Sequence, residues 1–290
     1  MPELPEVETI RRDLHEFVVG KTVTEVTVRK AKMVHGQSVN AFSAVVTGAT
    51  VLDVQRRGKL LIFVLGKGVY MLLHLKMTGQ LIYKDSTHLI AGGHTLTKPE
   101  DNFVVPNKYT HISFVFGDGS TLHFNDLRQF GYVQITDEEG KDAAICKMGI
   151  EPLQPEYTHE AFGAALRHHP SMAVKTALMD QRYITGIGNI YADESCFAAH
   201  ILPTRHVSSL SDEEYSALFD ATQSVIRAAI THRGTTFNDY RDTKGRKGNY
   251  VPYLMVYGRG GQPCKRCKKG TVQKIRLSGR GTTYCDTCQS

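Results

Sequence analysis

Four cysteines near the carboxyl end, Cys264, Cys267, Cys285 and Cys288, form two Cys-x-x-Cys pairs. Two such pairs suit one tetrahedral zinc ion held by four thiolates, each pair on a tight turn and the 17 residues between them folded as a hairpin. Two disulfides would be the alternative. No segment at the amino end resembles a secretory signal, and the remaining cysteines, Cys146 and Cys196, are far apart, so a reducing compartment and hence zinc are expected. From Cys264 to Ser290 the chain carries seven of its 35 Lys and Arg against one of its 29 acidic residues, which accounts for the whole formal charge of +6. A basic zinc ribbon on a neutral body points to nucleic acid, although ribbons of this kind also bind protein or only brace a fold.

The other end offers a nucleophile. The chain opens Met1-Pro2-Glu3-Leu4-Pro5-Glu6-Val7-Glu8, and removal of Met1 would leave a proline whose nitrogen is a secondary amine. An α-amino group titrates near ~8, so a useful fraction is unprotonated at neutral pH. Such an amine can attack an aldehydic sugar carbon to give an iminium ion, an electron sink that acidifies the neighbouring carbon and permits elimination of phosphate. Glu3 and Glu6 stand beside it as proton carriers. Without further context, Pro2 reads as a helix-starting residue whose acidic neighbours complement the macrodipole.

The elements that would position these groups follow from periodicity. Val7, Ile10, Leu14 and Phe17 or Val18 recur at helical spacing, predicting a leading amphipathic helix. Strand patterns follow at Thr22 to Arg29, Lys59 to Leu65, Val69 to Leu75, and His111 to Phe116 joined through Gly117-Asp118-Gly119 to Ser120 to Phe124. Lys84 to Lys108 reads as a polar loop. These patterns predict an α+β chain whose residues 1–137 form a two-layer antiparallel β-sandwich or flattened barrel with one leading helix. Residues 138–157 read as the connection and 158–261 as a helical domain, with helices at Thr158 to Arg167, Ala173 to Asp180, Ile190 to Ala199 and Ser211 to His232; residues 262–290 are the zinc-ribbon β-hairpin. In the last helix Ser211 and Glu214 form a capping box, and Tyr215, Leu218, Thr222, Val225, Ile226 and Ala229 line one face. The Gly-, Arg- and Lys-rich stretch between Gly234 and Gly261 reads as a solvated loop or as one that closes on a ligand. No apolar run is long enough to cross a bilayer, so a cytoplasmic protein without membrane contact is expected.

Six ordered blocks carry a resemblance. Beside the opening octapeptide and the cysteine ribbon they are Arg56-Arg57-Gly58-Lys59, His74-Leu75-Lys76-Met77-Thr78-Gly79, Phe124-Asn125-Asp126-Leu127-Arg128-Gln129-Phe130-Gly131, and Gly186-Ile187-Gly188-Asn189-Ile190-Tyr191-Ala192-Asp193-Glu194. From first residue to last the chain resembles the formamidopyrimidine-DNA glycosylases, bacterial enzymes that repair 8-oxoguanine. The resemblance implies a helix–two-turn–helix in the second half, damaged double-stranded DNA as partner, a monomer, and one structural zinc with no dissociable cofactor. It also implies that Pro2 is the Schiff-base nucleophile, Glu3 the general acid/base, Lys59 a phosphate-contacting cation that assists β-elimination, and Arg280 the zinc-finger arginine that grips phosphate and serves δ-elimination.

Met77, Arg128 and Phe130 match the family's wedge, which fills the hole left when a damaged base is turned out of the stack. Singly, Met77 and Phe130 would be read as core residues. Asn189 matches the DNA-contacting residue of the helix–two-turn–helix, Lys175 and His74 match phosphate-contacting positions, and the Gly234 to Tyr257 loop matches the segment that covers the everted base. Leu127 and Gln129 depart from the proline and second arginine common in relatives, which bears on the geometry and phosphate affinity of the wedge loop; Tyr109 stands where relatives often have histidine, and that contact is not carried over. Two other readings compete. A sister family that excises oxidised pyrimidines shares the amino-terminal proline, the Asn-bearing turn and the ribbon, but tends to open Pro-Glu-Gly-Pro-Glu where this chain has Leu4. A non-catalytic zinc-ribbon protein would use the basic tail only for salt-sensitive affinity.

Overall fold

The computed structural model describes residues 1–93, 104–235 and 250–290, which cluster into two compact units. One comprises Met1–Ile145 with the described part of His232–Asn249; the other comprises Cys146–Thr231 with Tyr250–Ser290.

In the first unit, helix α1 (Leu4–Val18) starts where its sequence dictates. Glu3 is the N-cap, its backbone N–H donates to the Glu6 carboxylate at 2.9 Å, and Pro5 occupies the first turn, where no N–H is needed. Leu4, Val7, Ile10, Leu14 and Val18 fall on one buried face, and burying five such side chains is worth on the order of 10 kcal/mol before entropy is charged. Then come β1 (Val23–Val28), β2 (Val34–His35), α2 (Val39–Val46), β3 (Asp53–Arg57), β4 (Leu60–Val64), β5 (Tyr70–His74), β6 (Gly79–Lys84), β7 (Leu89–Gly93), β8 (Thr110–Phe116), β9 (Thr121–Asp126), β10 (Tyr132–Thr136) and α3 (Glu138–Ile145).

The strands make two five-stranded sheets, β1-β8-β9-β6-β7 and β2-β10-β5-β4-β3. All pairings are antiparallel except the two-residue edge strand β2, which lies parallel to β10. Leu81, Phe114 and Phe124 from one sheet share a single core with Leu61, Phe63, Leu73 and Val133 from the other, and α1 closes it.

Three stretches differ from the sequence-based expectation. Val39–Val46, within the region read as strands, is helix α2, started by the Ser38 hydroxyl accepting the Ala41 N–H at 3.2 Å. Leu89–Gly93, expected as part of a polar loop, is strand β7, and α1 packs directly on it: a Cβ at Gly92 would come within 2.4 Å of Ile10. A strand of this composition is recognisable only once the helix that needs its bare backbone is in place. Within the expected connection, Glu138–Ile145 is helical, because the Asp137 carboxylate accepts the Gly140 N–H at 2.9 Å and Glu138 and Glu139 sit in the first turn.

The second unit holds α4 (His159–Arg167), α5 (Val174–Leu178), α6 (Asn189–Ala198), α7 (Asp212–Thr231) and the hairpin β11 (Gln273–Leu277) and β12 (Arg280–Tyr284). The capping box is present: Ser211 N–H donates to Glu214 at 2.8 Å and Glu214 N–H to Ser211 Oγ at 3.3 Å. Every residue expected on the inner face of α7 is buried. Turn residues Ser278 and Gly279, both with positive φ, close the ribbon hairpin.

Candidate functional site

Pro2 and Glu3 are buried immediately ahead of α1, while Met1 is 48% exposed in front of them. Two buried carboxylates on the same helix tie this terminus to its surroundings. Glu8 binds Arg11 (2.9 Å), Arg12 (2.8 Å) and Arg56 (3.1 Å), and Arg56 also donates to the Gly58 carbonyl at 2.9 Å. Burial pushes the Glu8 carboxyl up, but hydrogen bonds from Arg11 and Arg12 and the charge of Arg56 outweigh it and hold the group at about 2. Glu6 accepts the Thr235 N–H and hydroxyl at 2.7 and 3.0 Å, and Gly234 turns at φ +79 with Glu6 so close that a Cβ could not be added.

Lys59 occupies the two-residue turn between β3 and β4, so the Glu8–Arg56–Gly58 chain links this cation to α1. Leu60, its neighbour, pairs across the sheet with His74. Lys76 turns at φ 50 and aims its backbone N–H at His74 Nδ1, 2.9 Å away. Burial, with the charges of Lys76 and Lys59, pushes His74 down to about 3. It is therefore neutral at physiological pH, and because Nδ1 accepts, the proton sits on Nε2.

Met77, Arg128 and Phe130 come together on one exposed tip. Arg128 Nη1 lies 3.0 Å from the Met77 sulfur and its guanidinium 4.8 Å from the Phe130 ring centroid. Met77 is 38% and Phe130 53% exposed, so neither belongs to the core, as each would be read singly. The tip is built by Asp126, a fully buried carboxylate that accepts backbone N–H groups of Arg128 (3.1 Å), Phe130 (2.9 Å) and Gly131 (2.7 Å) and the hydroxyl of Thr78. Gln129 takes φ 56 within this turn. The departures at Leu127 and Gln129 are thus carried by a loop whose shape Asp126 dictates, and Leu127 adds a third exposed apolar side chain. Tyr109, the other departure, passes its carbonyl to the Asp126 N–H at 3.0 Å.

In the second unit, Asn189 starts α6 after a turn held by Gln181, whose side chain donates to the carbonyls of Met179 (2.8 Å) and Ile187 (2.7 Å) and accepts from Gly186 (3.0 Å). Asn189 Nδ2 lies 3.1 Å from the Gly281 carbonyl, next to Arg280 at the exposed start of β12. Lys175, expected at a phosphate-contacting position, lies in the interior of the second unit. It is 1% exposed, and its ammonium contacts Asp193, the Gly281 carbonyl and the Thr282 hydroxyl, each at 2.8 Å. Its charge is thus directed at protein groups in the interior of the second unit.

The sulfurs of Cys264, Cys267, Cys285 and Cys288 all lie within 4.8 Å of one another, with Cys264–Cys288 at 3.8 Å and Cys267–Cys285 at 3.9 Å. A disulfide would need ~2 Å. Four thiolates at ~2.3 Å from a tetrahedral Zn²⁺ are separated by roughly 3.8 Å, so the donor set fits one structural zinc with no open position.

Residues 236–249, the centre of the expected lesion-covering loop, lie outside the described residues. Beyond them, buried Glu194 accepts the N–H groups of Met255, Val256 and Tyr257 at 2.8–3.1 Å. Asp126, Gln181, Asp193 and Glu194 were not singled out from sequence; each lies within or beside a block that was, and an acidic or amide residue flanking a glycine turn was the available signal.

Family models match almost the whole chain: the formamidopyrimidine-DNA glycosylase N-terminal domain over residues 1–133, the H2TH domain of the same glycosylases over 148–240, and the zinc finger found in FPG and IleRS over 261–290. The formamidopyrimidine-DNA glycosylase of Desulfitobacterium hafniense is 38% identical over 291 residues, covering 100% of both chains. Among solved structures, a Lactococcus lactis Fpg variant in complex with Fapy-dG-containing DNA superposes with a TM-score of 0.86 at 30% identity, covering 100% of both chains. The wild-type Lactococcus lactis protein in complex with DNA containing an oxidised pyrimidine gives 0.84 at 30% identity, again over 100% of both.

Proposed function

This chain belongs to the formamidopyrimidine-DNA glycosylase family over its whole length, and from that premise we propose that it excises oxidised purines, 8-oxoguanine and formamidopyrimidines, from duplex DNA and then cleaves the strand as an abasic-site lyase. Once Met1 is removed, the Pro2 nitrogen donates its lone pair to C1′ of the everted nucleotide. The C1′–base bond breaks with its electrons leaving on the base, which takes a proton from solvent; the C1′–O4′ bond then opens as the nitrogen lone pair forms the iminium, with Glu3 passing the amine proton to O4′. The resulting iminium acidifies C2′; loss of that proton expels the 3′ phosphate, and a second elimination expels the 5′ phosphate. Lys59 and Arg280 neutralise the departing phosphates, Asn189 holds the backbone, and neutral His74 donates its Nε2–H to phosphate. Met77, Arg128 and Phe130 fill the vacated stack. Zinc supplies no reaction chemistry; it fixes the hairpin that bears Arg280.

The observation that most supports this reading is the buried Pro2 at the entry to α1, in the same unit as Lys59, His74 and the exposed Met77–Arg128–Phe130 tip. We further infer a monomer acting in the reducing cytoplasm; among the described residues no helix is long and apolar enough to cross a membrane. The Lactococcus lactis complex with an oxidised pyrimidine gives a second reading a specific footing. Paired excision assays on duplexes bearing 8-oxoguanine opposite cytosine or a thymine glycol separate the two. Faster release of 8-oxoguanine is expected, and faster release of the pyrimidine refutes the assignment.

A further inference from the structure

The second unit contains a buried ion pair that the chemistry above does not use. Lys175 on α5 and Asp193 on α6 meet at 2.8 Å with side chains 1% and 0% exposed. Such a pair is a weak source of stability, since desolvating two charges offsets most of their attraction, so its contacts matter more than its existence. Those contacts converge on one strand. Lys175 Nζ also donates to the Gly281 carbonyl and the Thr282 hydroxyl at 2.8 Å, while Asp193 Oδ2 accepts the Thr283 N–H and hydroxyl at 2.9 Å. All four additional hydrogen bonds end on the three residues that follow Arg280 in β12.

The Gly281 carbonyl is shared, because the Asn189 amide also donates to it at 3.1 Å. Removing the ammonium would leave Asn189 as the holder of that carbonyl and set this bond in competition with any phosphate. Nearer the hairpin tip, among the described residues, the Thr176 hydroxyl donates to the Ser278 hydroxyl at 3.3 Å, a contact too long to hold the tip by itself. We propose that the Lys175–Asp193 pair is a positioning device that clamps Gly281–Thr283 onto α5 and α6, so that Arg280 and Asn189 are presented together to neighbouring phosphates of one DNA strand. Neither residue touches DNA. The inference rests on the DNA-repair reading above.

The test uses zinc-loaded full-length protein carrying Lys175→Met, Asp193→Asn or both, each with and without Arg280→Ala. Melting temperature, zinc content and affinity for a duplex bearing a tetrahydrofuran abasic analogue are measured across salt. Each single change strands a buried polar or charged partner and lowers the melting temperature, whereas the double change removes both charges and recovers most of it. Affinity is expected to stay at least roughly tenfold weaker in the double variant, with the log–log salt slope smaller by ~0.9, one phosphate contact. Arg280→Ala should then cost little more, since the grip it would remove has already been lost. Recovery of wild-type affinity together with the melting temperature, or an undiminished cost of Arg280→Ala in the double variant, overturns the positioning role. Unaltered protein that fails to bind the same duplex overturns the DNA-repair reading and this inference with it; binding by the unaltered protein and the double variant alike overturns this inference alone.

Discussion

Glu8 shows how a buried carboxylate far from any bond-breaking step can hold a site in place. Three guanidinium groups surround it, and through Arg56 it fixes the turn that carries Lys59. Its folded-state value of about 2 lies below that of an unfolded carboxyl, so its contribution is complete above pH ~4.5 and fades as the pH falls toward 2. Glu8→Gln should therefore cost about 2 kcal/mol at pH 7 and much less at pH 3, as read from urea unfolding at both pH values. An equal loss at both would contradict the ion-pair account. His74 makes the complementary case: with Nδ1 occupied by the Lys76 N–H and its pKa near 3, it offers a neutral donor. Fluorescence anisotropy with lesion duplex should show that His74→Ala weakens binding by the same factor at pH 6 and pH 8; a factor that grows at the lower pH would mean that the imidazolium, not the neutral ring, meets the phosphate.

At the scale of elements, what could be read from the sequence was what is local. The Ser211–Glu214 box, the buried stripe of α7, the leading helix and the ribbon hairpin all follow from spacings of a few residues. The Met77–Arg128–Phe130 tip was accessible only through resemblance, because the carboxylate that builds it, Asp126, satisfies backbone amides and leaves no periodic trace. Asp126→Ala orphans three N–H groups in a partly buried turn and should cost roughly 3 kcal/mol while lowering lesion binding in parallel with Arg128→Ala. Calorimetry and a binding titration check this; an unchanged melting temperature contradicts it. Strand β7 carries no strand pattern because Gly92 makes room for Ile10 of α1 and Gly93 for the backbone of β6, and the surroundings of Lys175 are not local either, since its partners lie 106 and 107 residues away on the hairpin. Cys285→Ser, or zinc removal by a chelator, should unfold this hairpin and abolish lesion binding while far-UV circular dichroism retains the helices of α4 to α7. Full affinity in the stripped protein would contradict a structural role for the metal in presenting Arg280.

For the whole molecule, the proposed chemistry divides between the two units. Pro2, Glu3, Lys59, His74 and the exposed tip belong to one, while Asn189, Arg280 and the four cysteines belong to the other. Each group has its own local scaffold: Glu8, Arg56 and Asp126 in the first unit, Gln181, Lys175 and Asp193 in the second. Sequence blocks identified the groups themselves; the scaffolds became visible only with coordinates, since each works through backbone atoms or long-range pairs. The account depends on the amine of Pro2 forming a covalent bond to the sugar. The most direct measurement is borohydride trapping on 8-oxoguanine duplex, with the adduct mapped by mass spectrometry in protein that begins at Pro2 and in protein that retains Met1. The account predicts a protein–DNA adduct on the Pro2 nitrogen in the first and none in the second; an adduct of equal yield with the amine blocked, or one mapped to a lysine, would contradict it.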